Sequence, residues 1–334
     1  MVDSSRHGCS SKGVRFHRKS TLEIKKYRRM TALTVPRLTQ ANLPSLLSTI
    51  DTFLFDCDGV LWNGGTPIPR AGEAIEALQR AGKRCFFVTN NSTKTRSKYV
   101  EVLAKSGIVA PASSVLSSAF AAGEWLRLRQ YRRVYLIGEQ GLADELHDVA
   151  GVSCEGLDDW AIPFSLGTEP PPLDPAVDAV VCGFDGRFCY YKLMRAAAYI
   201  RAGRPFLATN RDATYPNNTG PIPGGGCMVA ALVTGVQREP DEVAGKPSPG
   251  LAALVASATG LVPERTCMVG DRLDTDIRFG NGAKYAATIL VLTGVTRRDQ
   301  LAGLSPCAEE HPSFILDSVG DLAEWMHESA TSAA

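Results

Sequence analysis

The sequence lacks the features of several broad classes of protein. It has no uninterrupted apolar run of the roughly 18 residues that a membrane span needs, so no membrane association is expected. Its net charge is only +1 at pH 7, which offers no excess of either sign to a nucleic acid or an acidic partner. We therefore expect a soluble protein with neither a membrane nor a nucleic acid as its partner.

Cysteine spacing excludes two further classes. The nine cysteines are odd in number and scattered, and no two of them form a C-x-x-C pair. Many lie within apolar runs, which is typical of reduced, buried thiols. We therefore expect an intracellular protein without a zinc site or a disulfide framework.

Charge is concentrated at the amino terminus. Residues 1–30 hold nine Lys or Arg but only two acids, Asp3 and Glu23, a local charge of +7. The segment has serines and no long apolar run, so it is not a secretory signal but fits an organelle transit peptide. A disordered basic tail, or untranslated sequence before a start at Met30, explains it equally well. The predicted location is the cytoplasm, or a chloroplast or other organelle if the segment is a transit peptide.

The 334 residues exceed a typical single domain, so two lobes or one large α/β unit are expected. From Asp51 onward apolar runs alternate with amphipathic stretches, the pattern of βαβ units. This pattern predicts an α/β fold with a doubly wound parallel sheet and a second α/β lobe. The predicted strands are 52–55, 84–88, 133–137, 179–182 and 205–208, and the predicted helices are 71–81, 95–106, 194–201 and 227–236.

The stretch FLFDCDGVLW (53–62) is the most informative part of the sequence. An apolar run brings Asp56 and Asp58 to the point where Gly59 allows the backbone to turn. Residues i and i+2 of a strand share a face, so both carboxylates can look into one cleft. Two carboxylates this close repel unless a cation lies between them or one is protonated. The pattern indicates a Mg²⁺ site beside an oxygen nucleophile, and the alternative is an ordinary Asp-x-Asp-Gly turn after a strand.

Three more motifs follow in order: VTNNS at 88–92, GKPSP at 245–249 and VGDRLDTD at 269–276. An Asp-x-Asp, a Thr after a strand, a Lys, and a Gly-Asp with further acids together resemble the haloacid dehalogenase superfamily. The forms DCDGVLW, TNNS and GDRLxTD are similar to its branch of phosphoglycolate phosphatases and p-nitrophenylphosphatases. Each motif alone can also be explained as an ordinary turn, helix cap or loop without a catalytic role. The resemblance covers about residues 45–327.

The resemblance implies a domain organisation. A catalytic core would comprise 45–116 and 241–330, and an inserted α/β cap of the C2 type would comprise 117–240. Residues 1–44 would be a basic segment that is disordered or serves targeting. Members of this branch commonly form homodimers through the cap, so a homodimer is expected here.

The resemblance also implies roles for the motif residues. Asp56 would attack phosphorus and form an aspartyl-phosphate, which divides hydrolysis into two easier steps. Asp58 would protonate the leaving alkoxide and later deprotonate the attacking water. Lys246 would place a positive charge beside the transferring group, while the Thr89 hydroxyl and backbone N–H groups near Asn90 and Asn91 would bind phosphate oxygens.

The expected cofactor is Mg²⁺. Its ligands would be Asp56, Asp271 and the backbone carbonyl of Asp58, with water at the remaining positions. Asp276 would orient a metal-bound water without touching the metal. The five histidines lie outside every motif, so an imidazole base is not expected.

The expected substrate is a small phosphomonoester, with 2-phosphoglycolate first. Arg211 and Tyr215 lie in a segment that resembles the family's specificity loop, where an arginine can bind a small carboxylate. An arginine in a solvated loop explains Arg211 equally well. Tyr215 matches a ring-contacting position of pyridoxal-phosphate phosphatases, which leaves pyridoxal 5′-phosphate or broad p-nitrophenylphosphatase activity as alternatives. A binding protein on the same fold would normally have lost Asp56, Asp58 or Lys246, and this sequence retains all three, which favours an enzyme. The triplet Gly224-Gly225-Gly226, with no G-K-[ST] after it, is interpreted as a hinge or a cap-to-core turn.

Overall fold

The computed structural model describes residues 35–167, 171–216 and 219–331. Of the predicted basic segment 1–44, residues 1–34 lie outside these residues. Residues 35–44 belong to the fold: the Leu38 N–H donates to the Ile315 carbonyl at 2.9 Å, and the helix Leu43–Thr49 begins within the segment. Among the residues described, no helix has both the length and the apolar character that crossing a bilayer requires.

A six-stranded parallel sheet, the core sheet, organises the first part of the fold. Its strands lie in the order Phe314–Leu316, Ala287–Val291, Thr266–Gly270, Thr52–Phe55, Arg84–Thr89 and Val115–Ser117. Every residue of the central strand Thr52–Phe55 is buried. Phe53 and Phe55 pack into one apolar cluster and Leu54 into another, because successive side chains of a strand point to opposite faces. A strand covered on both faces needs a continuous apolar run, which this segment provides.

Helices cover both faces of the core sheet, which confirms the predicted doubly wound α/β fold. In the helix Ala71–Arg80 the buried residues include Ala71, Ala74, Ile75 and Leu78, the spacing of one helical face. The core helices are Leu43–Thr49, Ala71–Arg80, Arg96–Lys105, Pro249–Thr259, Arg278–Gly282 and Asp321–Thr331, with a π-helical turn at Leu273–Ile277.

A second parallel sheet, the cap sheet, has five strands. They lie in the order Glu242–Val243, Phe206–Ala208, Ala179–Cys182, Arg133–Ile137 and Ser153–Glu155. The helices Ser118–Leu128, Gln140–Ala150, Tyr190–Arg201 and Gly225–Val236 belong to the same part of the chain. Glu242–Val243 pairs with Phe206–Ala208, although the predicted boundary at 240 assigns it to the core. Two short hairpins complete the strands, Trp62–Asn63 with Thr66–Pro67 and Thr214–Tyr215 with Ile222–Pro223.

Most predicted elements are confirmed, and the largest difference is at the glycine triplet. The strands Thr52–Phe55, Arg133–Ile137 and Ala179–Cys182 match the predicted ranges. The interpretation of Gly224-Gly225-Gly226 as a hinge or turn is wrong, because the helix Gly225–Val236 begins within it. A Cβ on Gly226 would lie 2.6 Å or less from the backbone of Arg211, so the glycines let this helix start against the loop that follows Ala208.

Candidate active site

A cleft opens at the carboxyl ends of the central core strands, the usual ligand position in a doubly wound sheet. Residues of the core and of the inserted segment, residues 117–240, line it together. From the core come Asp56, Asp58, Thr89, Asn90, Asn91, Lys246, Asp271, Arg272 and Asp276, and from the inserted segment Phe184, Asn210, Asp212, Thr214 and Tyr215. Motifs separated by up to 220 residues in sequence (Asp56 and Asp276) thus meet at one place.

Asp56 and Lys246 form a buried ion pair at the centre of the cleft. The Lys246 Nζ lies 2.5 Å from Asp56 Oδ1 and also donates to the Val88 carbonyl at 2.6 Å. Burial raises the pKa of Asp56 well above its usual range, while Lys246 acts to lower it. Burial alone would lower the pKa of Lys246, but Asp276 and Asp56 outweigh it and raise that pKa. The amine therefore stays charged beside the candidate nucleophile.

Asp56, Asp271 and Asp276 form a cluster of buried carboxylates that fits a divalent cation. Each offers an oxygen within 4.8 Å of the others. Asp271 Oδ2 accepts the Val295 N–H at 2.6 Å, whereas the buried Oδ1 has no hydrogen-bond partner among the described residues. Burial, reinforced by Asp276, raises the pKa of Asp271 to about 7. Oxygen ligands of this kind suit a hard cation such as Mg²⁺, whose charge would keep them ionised.

Asp276 is held by the π-helical turn Leu273–Ile277, a distortion that is frequent at functional sites. Its Oδ2 accepts the backbone N–H groups of Asp271 and Arg272, both at 3.1 Å. Its Oδ1 lies 2.8 Å from Lys246 Nζ. Asp276 therefore both shapes the loop that carries Asp271 and shares the charge of Lys246.

Two glycines leave room for Asp271. A Cβ on Gly294 would lie 1.9 Å from Asp271 Oδ2, and one on Gly59, whose φ is +91°, would lie 2.5 Å from it. We expect Gly294→Ala to displace Asp271, to weaken Mg²⁺ affinity by about 10- to 100-fold, and to leave the fold intact. Mg²⁺ titration by calorimetry measures this. Gly282→Ala, where the new Cβ meets no atom within 4 Å, is the control, and equal affinities in the two variants would contradict the prediction.

Asp58 is half-buried and is held differently from Asp56. Its Oδ1 accepts the Trp62 Nε1–H at 3.0 Å. Burial raises the pKa of Asp58, although the Trp62 hydrogen bond lowers it. A carboxyl group that keeps its proton more readily than usual is suited to general acid chemistry.

Most hydrogen-bonding groups of the TNNS motif already have partners within the protein. The Thr89 hydroxyl oxygen accepts the Asn91 N–H at 3.1 Å. Asn91 Oδ1 accepts from the backbone and hydroxyl of Thr93, and its Nδ2 donates to Tyr215 Oη at 3.0 Å. The Asn91 N–H, a predicted phosphate ligand, is therefore already occupied here, and the Asn90 side chain faces the backbone of Lys246.

Arg211 and Tyr215, the predicted specificity residues, lie in different places. Tyr215 lines the cleft and packs against Phe184, with ring centroids 6.1 Å apart. Arg211 is outside the cleft, half-exposed and 2.7 Å from Glu239. The alternate residues Asn210 and Asp212 face the cleft, since adjacent residues of an extended segment point to opposite sides.

Sequence reasoning missed Asp212, Phe184 and Arg272. Arg272 lies inside the VGDRLDTD motif, but the motif by itself indicates no role for it. Its side chain is 13% exposed, pairs with Asp274 at 3.2 Å and reaches the Thr214 carbonyl at 3.5 Å. Among the described residues that line the cleft, Arg272 is the one arginine, and its position next to Asp271 in the sequence is the signal that could have found it.

Comparison with known protein families gives two matches. Residues 53–151 match the family described as haloacid dehalogenase-like hydrolase. Residues 243–322 match a family described as HAD-hydrolase-like. The two matched segments flank most of the inserted cap sheet.

Similar proteins are named as phosphatases. The chain is 41% identical over 308 residues to glycerol-3-phosphate phosphatase of Homo sapiens, covering 86% of this chain and 94% of that protein. It is 38% identical over 297 residues to phosphoglycolate phosphatase 2 of Arabidopsis thaliana, covering 86% and 97%.

Solved structures agree with these relatives. The 4-nitrophenylphosphatase of Thermotoga maritima matches with a TM-score of 0.70 at 32% identity, over 84% of this chain and 98% of that one. The glycerol phosphate phosphatase of Mycobacterium tuberculosis in complex with magnesium matches with a TM-score of 0.69 at 30% identity, over 83% and 77%.

Proposed function

Because the chain belongs to the haloacid dehalogenase-like hydrolases, we propose that it is a Mg²⁺-dependent phosphatase acting through an aspartyl-phosphate on Asp56. Its relatives are named phosphatases, so the chain is a phosphoric monoester hydrolase. The observation that best supports the mechanism is the contact of Lys246 with Asp56 beside two further buried carboxylates.

The chemistry has two steps. In the first, an Asp56 oxygen bonds to phosphorus, the bond to the leaving oxygen breaks, and Asp58 gives that oxygen its proton. In the second, Asp58 takes a proton from water, the water oxygen bonds to phosphorus, and the bond to Asp56 breaks. Lys246 offsets the negative charge of the transferring group in both steps. The products are an alcohol and inorganic phosphate.

Asp56, Asp271 and the Asp58 carbonyl would hold Mg²⁺. The orphaned Asp271 Oδ1 and the burial of Asp56 and Asp271, whose carboxylate oxygens lie within 4.8 Å of each other, favour this assignment. The ion, when bound, would neutralise charge on phosphate oxygens. Asp276, committed to the loop backbone and to Lys246, would position the ligand Asp271.

For the substrate we propose 2-phosphoglycolate, supported by the similarity to a named phosphoglycolate phosphatase. Arg211 lies outside the cleft, whereas Arg272 lines it and provides a cation for a substrate carboxylate. Glycerol 3-phosphate is a second candidate, because the human relative at 41% identity is named for it. The aromatic pair of Phe184 and Tyr215 keeps pyridoxal 5′-phosphate and p-nitrophenyl phosphate as alternatives.

Phosphate release by the purified protein tests this proposal. The four phosphomonoesters are compared side by side with Mg²⁺ and with EDTA. We expect turnover with Mg²⁺, at least about 100-fold less with EDTA, and the highest kcat/KM for 2-phosphoglycolate. Equal turnover of all four would contradict the substrate proposal. Activity that survives EDTA would contradict the proposed requirement for Mg²⁺.

The predicted homodimer through the cap stays a proposal, as do the predicted domain boundaries. Sedimentation equilibrium of the purified protein at several concentrations would decide between monomer and dimer. A mass that stays at 35.8 kDa at all concentrations would contradict the homodimer.

A further inference from the structure

Asn90 makes an unusual set of contacts for a residue predicted to bind phosphate. Its side chain pairs with the main chain of a single residue: Asn90 Oδ1 accepts the Lys246 N–H at 2.7 Å, and Nδ2 donates to the Lys246 carbonyl at 3.1 Å. The orientation of this amide follows from chemistry, because a backbone N–H can donate only to the oxygen end. The Asn90 side chain therefore binds both the N–H and the carbonyl of Lys246.

The same amide nitrogen also reaches the inserted segment. Asn90 Nδ2 donates to Asp212 Oδ1 at 3.0 Å, which uses its second hydrogen. The Asn90 carbonyl accepts from Asn210 Nδ2 at 2.8 Å, and Asn210 Oδ1 accepts the Asp212 N–H at 3.1 Å. Two side chains of the loop after Phe206–Ala208 thus contact the residue that holds Lys246.

A close approach of backbones supports the same arrangement independently. Gly245 lies immediately before Lys246, and a Cβ there would be 2.6 Å from Asn90 Oδ1 and 2.7 Å from the Thr209 carbonyl. Only a glycine leaves space for both neighbours. Gly245, at the start of residues 245–249 (the lysine segment), is therefore packed between Asn90 and the residue that follows the cap strand Phe206–Ala208.

We propose that Asn90 and Asp212 are positioning residues. They would couple the loop that follows the strand Phe206–Ala208, the cap loop, to Lys246. When Asp212 accepts from Asn90, the amide is fixed in the plane that holds the Lys246 backbone, and Nζ is kept on Asp56. When the loop moves away, the amide loses its partner and the lysine segment loosens. Catalysis therefore depends on the loop being in place, beyond any contact of the loop with substrate. This inference rests on the proposed phosphatase function.

Asp212 variants distinguish positioning from substrate contact. Asp212→Ala removes the acceptor, and we expect kcat to fall about tenfold with KM changed less than about threefold. Asp212→Asn keeps an oxygen that accepts from Asn90, and we expect it to restore kcat to within about threefold of the original chain. Arg211→Ala, the neighbouring exposed residue paired with Glu239, is the control and should leave both constants unchanged.

Hydrogen exchange gives a readout that needs no activity. The Lys246 amide hydrogen is bonded to Asn90, and Pro247 contributes none, so a short peptide ending there reports on this bond. We expect faster exchange at Lys246 in Asp212→Ala but not in Asp212→Asn. Exchange that is unchanged in both variants would overturn the coupling. This measurement stays informative even if the chain is inactive on every phosphomonoester and the proposed function fails.

A double-mutant cycle completes the test. With Asn90→Ala the link is already absent, so adding Asp212→Ala should lower kcat no further. Additive losses, or an Asp212→Ala effect confined to KM, would overturn the proposal and make Asp212 a substrate contact. If Asn90→Ala fails to fold, the kinetic and exchange measurements on Asp212 decide alone.

Discussion

Asp56→Asn is expected to lower kcat by about 10⁴-fold or more on every phosphomonoester. An amide oxygen is a poor nucleophile, so no phosphorylated enzyme forms and the two-step route is lost. The fold should persist, because Lys246 keeps the Val88 carbonyl and Asp276 as partners. Steady-state kinetics and circular dichroism measure the two parts of this prediction.

The control for this variant is Asp51→Asn. Asp51 lies just before the same central strand, but its carboxylate is about half-exposed and pairs with Arg265, away from the cleft. The same amide substitution there should leave kcat unchanged. Turnover that survives in Asp56→Asn would show that another group attacks phosphorus, whereas loss of helical signal in that variant would make its inactivity uninformative about the nucleophile.

Asp58→Asn is expected to slow the reaction by about 10²- to 10⁴-fold, in a manner that depends on the leaving group. An alkoxide needs the proton of Asp58 to leave, so 2-phosphoglycolate and glycerol 3-phosphate should be most affected. The p-nitrophenolate anion is stable without a proton, so its release in the first step should remain fast. The second step still needs a base to activate water, and it should become rate-limiting.

Rapid-mixing kinetics separates these two steps. With p-nitrophenyl phosphate, Asp58→Asn should release a burst of p-nitrophenolate about equal to the enzyme concentration, followed by slow turnover. The unsubstituted chain is the control and should show a smaller burst or none. Equal slowing of all substrates without a burst would contradict the acid and base roles of Asp58 and leave it a structural partner of Trp62.

Local patterns were sufficient for the fold class and for the identity of the central acids. The apolar run before Asp56 predicts the strand Thr52–Phe55, and periodic apolar residues predict the helix Ala71–Arg80, both confirmed. Such elements are predictable because alternation and helical spacing are properties of neighbouring residues. The motifs around Asp56 and Asp271 likewise indicate carboxylate and cation chemistry before any contact is known.

Individual side chains in the cleft were harder to assign. The sequence predicts that Arg211 faces a substrate carboxylate, but the segment directs Asn210 and Asp212 inward and leaves Arg211 beside Glu239. A shift of one residue in an extended segment changes the face, and no local pattern defines that register in a short loop. The role of Arg272 is hard to predict for a related reason, since it depends on the Thr214 carbonyl that approaches it from the inserted segment.

Short motifs thus predict the chemical type of the site, because a strand and the turn after it are local structures. Its connections were decided by tertiary structure alone. Asn90 and Lys246 are 156 residues apart, yet they share two hydrogen bonds that exist only in the folded chain. Burial, which raises the pKa values of Asp56 and Asp271, also depends on groups distant in sequence. Distances and desolvation belong to the folded chain as a whole, and a linear pattern contains neither.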